Sequence, residues 1–223
     1  MKLGTKLAGW TLLVSLCVGC ATIPSSHPDP QPDVPSVFPM FPADLTDTLD
    51  SIGVYVINTQ RGHGTGFSVS DTMIVTAAHV VWDAGIIFVD GEEAELLVLD
   101  MSVDVAVLRV RSRPRAHLTF AYAERGDEVS AAGYAGFMGG VWATVVEGHV
   151  AGFAGGYVTF TGGLGPGMSG GPLLDTDGHV VGLASHVFLW RRWGAPNPTL
   201  ANFVHPRQIM MVLAETPFYT ENK

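Results

Sequence analysis

The sequence predicts an all-β fold, a sandwich or a barrel, and three observations carry the prediction. Beyond residue 44 the chain breaks into short apolar runs separated by Gly and Asp. Almost no stretch repeats its apolar residues at helical spacing. Glycine is abundant, 27 in 223 residues, and Gly, Pro and Asp punctuate the runs at the intervals expected of turns.

Taken in order, the strand candidates are Ser51–Asn58, Gly64–Val69, Met73–Ala77, Ile86–Val89, Ala94–Leu99 and Val105–Val110. A second set follows: Glu128–Gly133, Ala143–Phe153, Tyr157–Thr161, Pro172–Leu174, Val180–Val187 and Ala201–Val204. Each is rich in Val, Ile, Phe or Tyr and ends at a turn signal. The one good helix candidate is "HPRQIMMVLAET", where Pro206 suits a first helical position and Ile209, Met210 and Leu213 make an apolar stripe. No repeat of 20 to 50 residues is present.

The residues before the first strand read differently. Lys2 and Lys6 head an apolar run of about 13 residues, Leu7 to Gly19, shorter than the roughly 20 that span a bilayer and typical of an export signal. Cys17-Val18-Gly19-Cys20 is compatible with an ordinary small-x-small cleavage site. It also resembles a bacterial lipobox, with Cys17 where Leu is usual and Cys20 as the lipidated residue. Both cysteines of the chain lie here, so a chain beginning at Cys20 keeps one thiol and forms no internal disulfide. From Ala21 to Ala43 there are seven prolines, an extended tether. At about 3.1 Å per residue it could hold a domain roughly 70 Å from a membrane. The expected layout is a signal over 1–19, a tether over 20–44, an N-terminal barrel over 45–118, a C-terminal barrel with its helix over 119–216, and a tail over 217–223.

A net charge of −9, from 12 basic and 21 acidic residues, argues against a nucleic-acid surface. The one basic cluster, Arg109, Arg111, Arg113 and Arg115, reads as the solvent side and exit of a strand. A mean hydropathy of +0.29 fits a packed core.

Three stretches have the character of nucleophilic catalysis, whose members can lie far apart in sequence. "MIVTAAHVVW" places His79 just after a buried strand. "SVDVAVLRV" places Asp104 at the head of an apolar strand, where an acid needs a dedicated donor such as an imidazole N–H. "GPGMSGGPL" surrounds Ser169 with glycines. Alone, His79 reads as a satisfied core histidine, Asp104 as a turn residue and the serine stretch as a flexible loop. "GHGTGF" has the look of a dinucleotide loop, but a strand follows it where a helix is required. His149, His179, His186 and His205 show no metal spacing and read as surface or pocket-lining residues; no metal or cofactor is expected.

In the order His, Asp, Ser, these motifs resemble the trypsin/chymotrypsin-like serine peptidases, closest to the bacterial high-temperature-requirement branch. "GHGTGFSVS", "HVVGLAS" and "ANFVHP" fit the same family, so the resemblance covers roughly residues 50–215. It implies two six-stranded antiparallel Greek-key barrels with a C-terminal helix. It implies a His79–Asp104–Ser169 triad, an oxyanion hole from the N–H groups of Gly167 and Ser169, and Ser185 supporting Asp104 from behind. Gly163, His186 and Val187 would form the specificity pocket, uncharged and narrowed, favouring a small aliphatic residue before the scissile bond. A polypeptide is the implied substrate, and a lipid anchor in the bacterial envelope (the outer membrane, if there are two) the implied location. A monomer without a PDZ-type extension is expected.

Met168 departs from the digestive members, which carry Asp there to pair with a newly cut N-terminus. Activation of that kind is not expected. The rival readings are a catalytically silent binding module on the same fold, and an esterase. The usual esterase scaffold has the order Ser, Asp, His with alternating helices, neither of which is present.

Overall fold

The twelve expected strands form, and they close into two barrels. The structure, a computed structural model, describes residues 43–111, 116–187 and 200–217. The export signal, Cys20, nearly all of the tether, Arg113, Arg115 and the tail beyond 217 lie outside them.

The first barrel contains β1 (Val54–Thr59), β2 (Gly62–Ser68), β3 (Met73–Thr76), β4 (Ile87–Val89), β5 (Glu92–Asp100) and β6 (Val105–Arg109). They close in the order β1-β2-β3-β6-β5-β4, every pair antiparallel. The second contains β7 (Glu128–Phe137), β8 (Gly140–Ala154), β9 (Tyr157–Phe160), β10 (Pro172–Leu174), β11 (Val180–Val187) and β12 (Ala201–Val204). These close as β10-β11-β12-β9-β8-β7, again antiparallel.

Three apolar clusters hold the barrels. One fills the first, around Tyr55, Ile57, Ile74 and Leu108. Another fills the second, around Phe160, Leu173, Phe203 and Met168. The third belongs to both: Phe67 and Val75 from the first barrel share it with Tyr134 and Leu183 from the second. Burial of each large apolar side chain contributes about 1.5–3 kcal/mol, so this shared cluster is what fixes one barrel against the other.

Two helices were not foreseen. Helix α1 (Ala43–Ser51) is mostly polar and buries Leu49, a pattern too sparse to announce itself. It starts inside the stretch expected to be tether. Helix α2 (Ala78–Val81) is a single turn after β3. The foreseen helix is α3 (Pro206–Glu215), with Pro206 in its first turn and Ile209, Val212 and Leu213 buried.

His205, read as a surface or pocket-lining residue, is half-buried and serves as the N-cap of α3. Its Nδ1 accepts the Arg207 N–H at 3.2 Å, and its ring stacks on Tyr122 at 5.5 Å. Burial, and then the charge of Arg207, hold its pKa below the usual imidazole value. The unfolded chain therefore binds this proton more readily, and stability falls as pH drops below about 6.5. Replacing His205 with Asn keeps a cap and removes the titration. The Tm of that variant is expected to vary less with pH between about 7 and 5 than that of the parent.

Candidate active site

Asp104 sits in the turn that leads into β6, with φ +61°, a left-handed conformation that Asp adopts more easily than most residues. Its carboxylate is buried and accepts from three donors. The His79 backbone N–H donates to Oδ1 at 2.9 Å, and the His79 ring Nδ1 lies 3.0 Å from Oδ1 and 2.9 Å from Oδ2. Ser185 Oγ also donates to Oδ2 at 2.5 Å.

A carboxylate only accepts, so Nδ1 of His79 carries the proton and Nε2 is left as the acceptor nitrogen. Burial pushes the Asp104 pKa up, but the bonds from His79 and Ser185 outweigh it and hold the group below the usual carboxylate value. With the folded pKa depressed, the stabilisation is complete above about pH 4 and is lost as pH falls through the folded value. An Asp104→Asn chain, followed by thermal unfolding between about pH 5 and pH 2, is expected to show a shallower acid limb than its parent.

His79 stands on α2, one turn placed directly after β3, and its side chain is 40% exposed. Ser169 faces the same space. Thr59, Arg61, Gly62, His63, His79, Val80 and Ser169 line one cleft of about 230 Å³.

The loop around Ser169 is an ordered turn with a particular pattern of donors. Met168 N–H bonds Gly165 O at 3.2 Å, Gly170 N–H bonds Ala184 O at 2.7 Å, and Gly171 N–H bonds Met168 O at 3.0 Å. The N–H groups of Gly167 and Ser169 donate to no described residue. The Pro166 carbonyl accepts from Gly136 N–H at 2.7 Å. The peptide between 166 and 167 is trans, so its N–H points the opposite way, away from Gly136. Two adjacent backbone donors without acceptors, beside a serine, can stabilise an anion.

Thr65 was missed from the sequence and is the main support of this loop. It is fully buried on β2, and its N–H donates to Ser169 O at 2.8 Å. Its hydroxyl donates to Gly167 O at 2.8 Å and accepts from Tyr134 N–H at 2.9 Å. A residue of the first barrel thus holds the backbone of the second at both donor positions. His63 was missed too. Its ring packs where a Cβ at Gly167 would come within 2.2 Å, and one at Gly136 within 2.7 Å. The only sequence signal for either was the stretch "GHGTGF" itself.

Met168 is buried among the apolar side chains of the second barrel, 1% exposed. Gly163 is exposed in the loop after β9 and is not among the residues lining the cleft of Ser169. His186 and Val187 belong to β11, but their side chains lie outside the described residues. His149 is exposed, and His179 pairs with Asp175 at 3.3 Å. Among the described residues no group of three His, Cys, Asp or Glu is placed to hold a metal ion.

A family model for the trypsin-like peptidase domain matches residues 64–183, just over half of the chain. The chain belongs to that family. Among the relatives of this trypsin-like peptidase domain is a probable periplasmic serine endoprotease, DegP-like, of Chlamydia pneumoniae. It is 37% identical over 139 residues, which cover 54% of this chain and 28% of that protein. A protein of the same name from Halomonas elongata is 38% identical over 147 residues, covering 58% of this chain and 30% of that one. The chain therefore spans less than a third of the length of these relatives.

Among solved structures, the active form of the Rv3671c protease from M. tuberculosis superposes with a TM-score of 0.66 at 25% identity. That match covers 78% of this trypsin-like peptidase domain chain and 84% of the other. A serine endoprotease from Yersinia pestis gives a TM-score of 0.65 at 23% identity, over 78% and 66% of the two chains, and supports the fold alone.

Proposed function

We propose that this chain is a serine endopeptidase working through His79, Asp104 and Ser169. The observation that carries it is the pairing of Asp104 with His79 across one cleft from Ser169, beside two backbone N–H groups that donate to no described residue. Ser169 Oγ attacks the scissile carbonyl carbon while Nε2 of His79 takes its proton. The carbonyl oxygen becomes an oxyanion held by Gly167 and Ser169 N–H; one such donor is worth about 2.7–4 kcal/mol in comparable sites. Collapse breaks the C–N bond, His79 gives its proton to the leaving amine, and the acyl group stays on Ser169. Water, deprotonated by His79, then releases it. Asp104 holds the ring in the required tautomer and balances the imidazolium; Ser185 and Thr65 position the parts. No cofactor is needed.

The alternative, a silent binding module, makes a distinct prediction. A serine-directed phosphonate labels the endopeptidase stoichiometrically at Ser169, and leaves a silent module unmodified.

The carboxylate that pairs with a cut N-terminus elsewhere in the family has an apolar counterpart here in Met168, which supports a chain active without such cleavage. The specificity pocket of Gly163, His186 and Val187 favours a small aliphatic residue before the scissile bond. A peptide library scanned at that position tests it: dominance of Arg or Lys refutes the pocket, and dominance of Glu points to His186.

Relatives named periplasmic support export. The chain is a monomer held in the envelope by lipid on Cys20, at the outer membrane where there are two, since Ala21 and not Asp follows the cysteine. Each buried CH₂ of an acyl chain contributes about 0.8 kcal/mol, so several chains together anchor firmly. Cys20→Ser is expected to move the protein from the membrane fraction to the soluble one, or to stall its processing. An unmodified N-terminus by intact-mass measurement on the native protein would show the anchor to be absent.

A further inference from the structure

The cleft beside Ser169 has a chemical character that the triad does not explain. Its walls are the end of the β1–β2 hairpin (Thr59, Arg61, Gly62, His63) and α2 (His79, Val80), and none of the described residues lining it is acidic. In a chain of net charge −9, a cleft lined by Arg and His is an exception to the surrounding field.

Its position indicates which half of a substrate it meets. The pocket proposed for the acyl half lies along β11 and the loop after β9, and its described member Gly163 does not line this cleft. The two halves of a peptide leave the scissile bond in opposite directions. The proton donor to the departing amine, His79, is itself a wall of this cleft. The departing half therefore runs along the β1–β2 turn.

Arg61 is available to it. Its guanidinium lies 5.4 Å from the centre of the Trp82 ring, which holds its plane. Among the described residues its ion pair is with Asp83 at 3.5 Å, with side chains 53% and 76% exposed. Such a pair is worth little, and a carboxylate arriving in the two-pronged geometry that guanidinium prefers can replace it. Below, Nε2 of His63 is buried and has no hydrogen-bond partner among the described residues, so a polar group of that wall is also unspent.

We propose that the departing side of the cleft selects polypeptides with Asp or Glu among the first three residues after the scissile bond, and that Arg61 is the residue that sets this preference. The inference rests on the endopeptidase reading above and deepens it.

The test uses internally quenched peptides identical except for Glu, Gln or Lys at each of those three positions. The unaltered chain is expected to cleave the best Glu peptide with kcat/KM about 3-fold above its Gln counterpart, a ratio that shrinks as salt is raised. Arg61→Gln is expected to bring the ratio to about one, and Arg61→Glu to reverse it in favour of Lys. Equal rates for Glu and Gln in the unaltered chain overturn the proposal, as does a Glu preference that survives Arg61→Gln. If no peptide is cut and the phosphonate fails to label, the endopeptidase reading fails on its own. Fluorescence anisotropy of the same peptides on the Ser169→Ala chain then decides the charge preference: tighter binding of Glu that is lost with Arg61→Gln sustains it, and equal binding ends it.

Discussion

Ser169→Ala is expected to lower kcat on an unfolded polypeptide by roughly 10⁴–10⁶-fold, and His79→Ala to do about the same. Combining the two is expected to cost little more than either, because the hydroxyl and its base act in a single step. The fold gives the experiment a clean baseline. Ser169 Oγ makes no hydrogen bond to a described residue, so its removal is expected to change stability by no more than about 0.5 kcal/mol. What remains of the backbone donors at 167 and 169 is expected to leave some residual catalysis over water. Activity that persists undiminished in purified Ser169→Ala would mean that the cleft is not where peptide bonds are cut.

The second large effect is one of stability. Gly170 has φ +85°, and a Cβ there would lie 2.2 Å from Thr65 O, 2.3 Å from Thr76 Oγ1 and 2.8 Å from Ala77 N. Two of those atoms are backbone of the first barrel and cannot turn aside. Gly170→Ala would cost about 1–2 kcal/mol for the left-handed conformation and about 1–3 kcal/mol for the overlap. At about 2–4 °C per kcal/mol for a domain of this size, Tm is expected to fall by roughly 4–20 °C. Gly178 is a built-in control, since it shares φ +85° but has nothing within 4 Å of its own Cβ position. Gly178→Ala is expected to show the conformational part alone. Equal losses for the two variants would show that the contact with Thr65 and Thr76 is unimportant.

What could be read from the sequence, and what could not, divides along physical lines. β10, β11 and β12 were legible to the residue, because each is a short apolar run closed by turn residues and the cause of its conformation is local. His79, Asp104 and Ser169 were picked from three stretches that make little sense alone, and the structure brings Asp104 against His79 and His79 to one cleft with Ser169. The hairpin of β7 and β8 was cut short at Gly133 and Ala143. Its true end, Phe137 paired with Gly140 across Met138 and Gly139, is glycine-rich and looked like a loop. There Gly136 serves a distant partner, giving the His63 ring its space. Thr65 was invisible for the same reason: its hydroxyl bonds a carbonyl 102 residues away, and no local pattern encodes that. Helix α1 buries little besides Leu49, too little periodicity to register.

The clasp between Thr65 and the serine loop also governs when, during the life of the molecule, it can act. Synthesis delivers the His79 and Asp104 half first, and that barrel can close by itself from β1 to β6. The serine half cannot close until β12 has paired with both β9 and β11, and β12 follows every other described strand along the chain. Until then Ser169 has no fixed carbonyl for Thr65 to grip, and Asp104 lacks the hydroxyl of Ser185 behind it. A half-made chain therefore holds its base and its nucleophile apart. The reactive assembly is complete only when both barrels have closed.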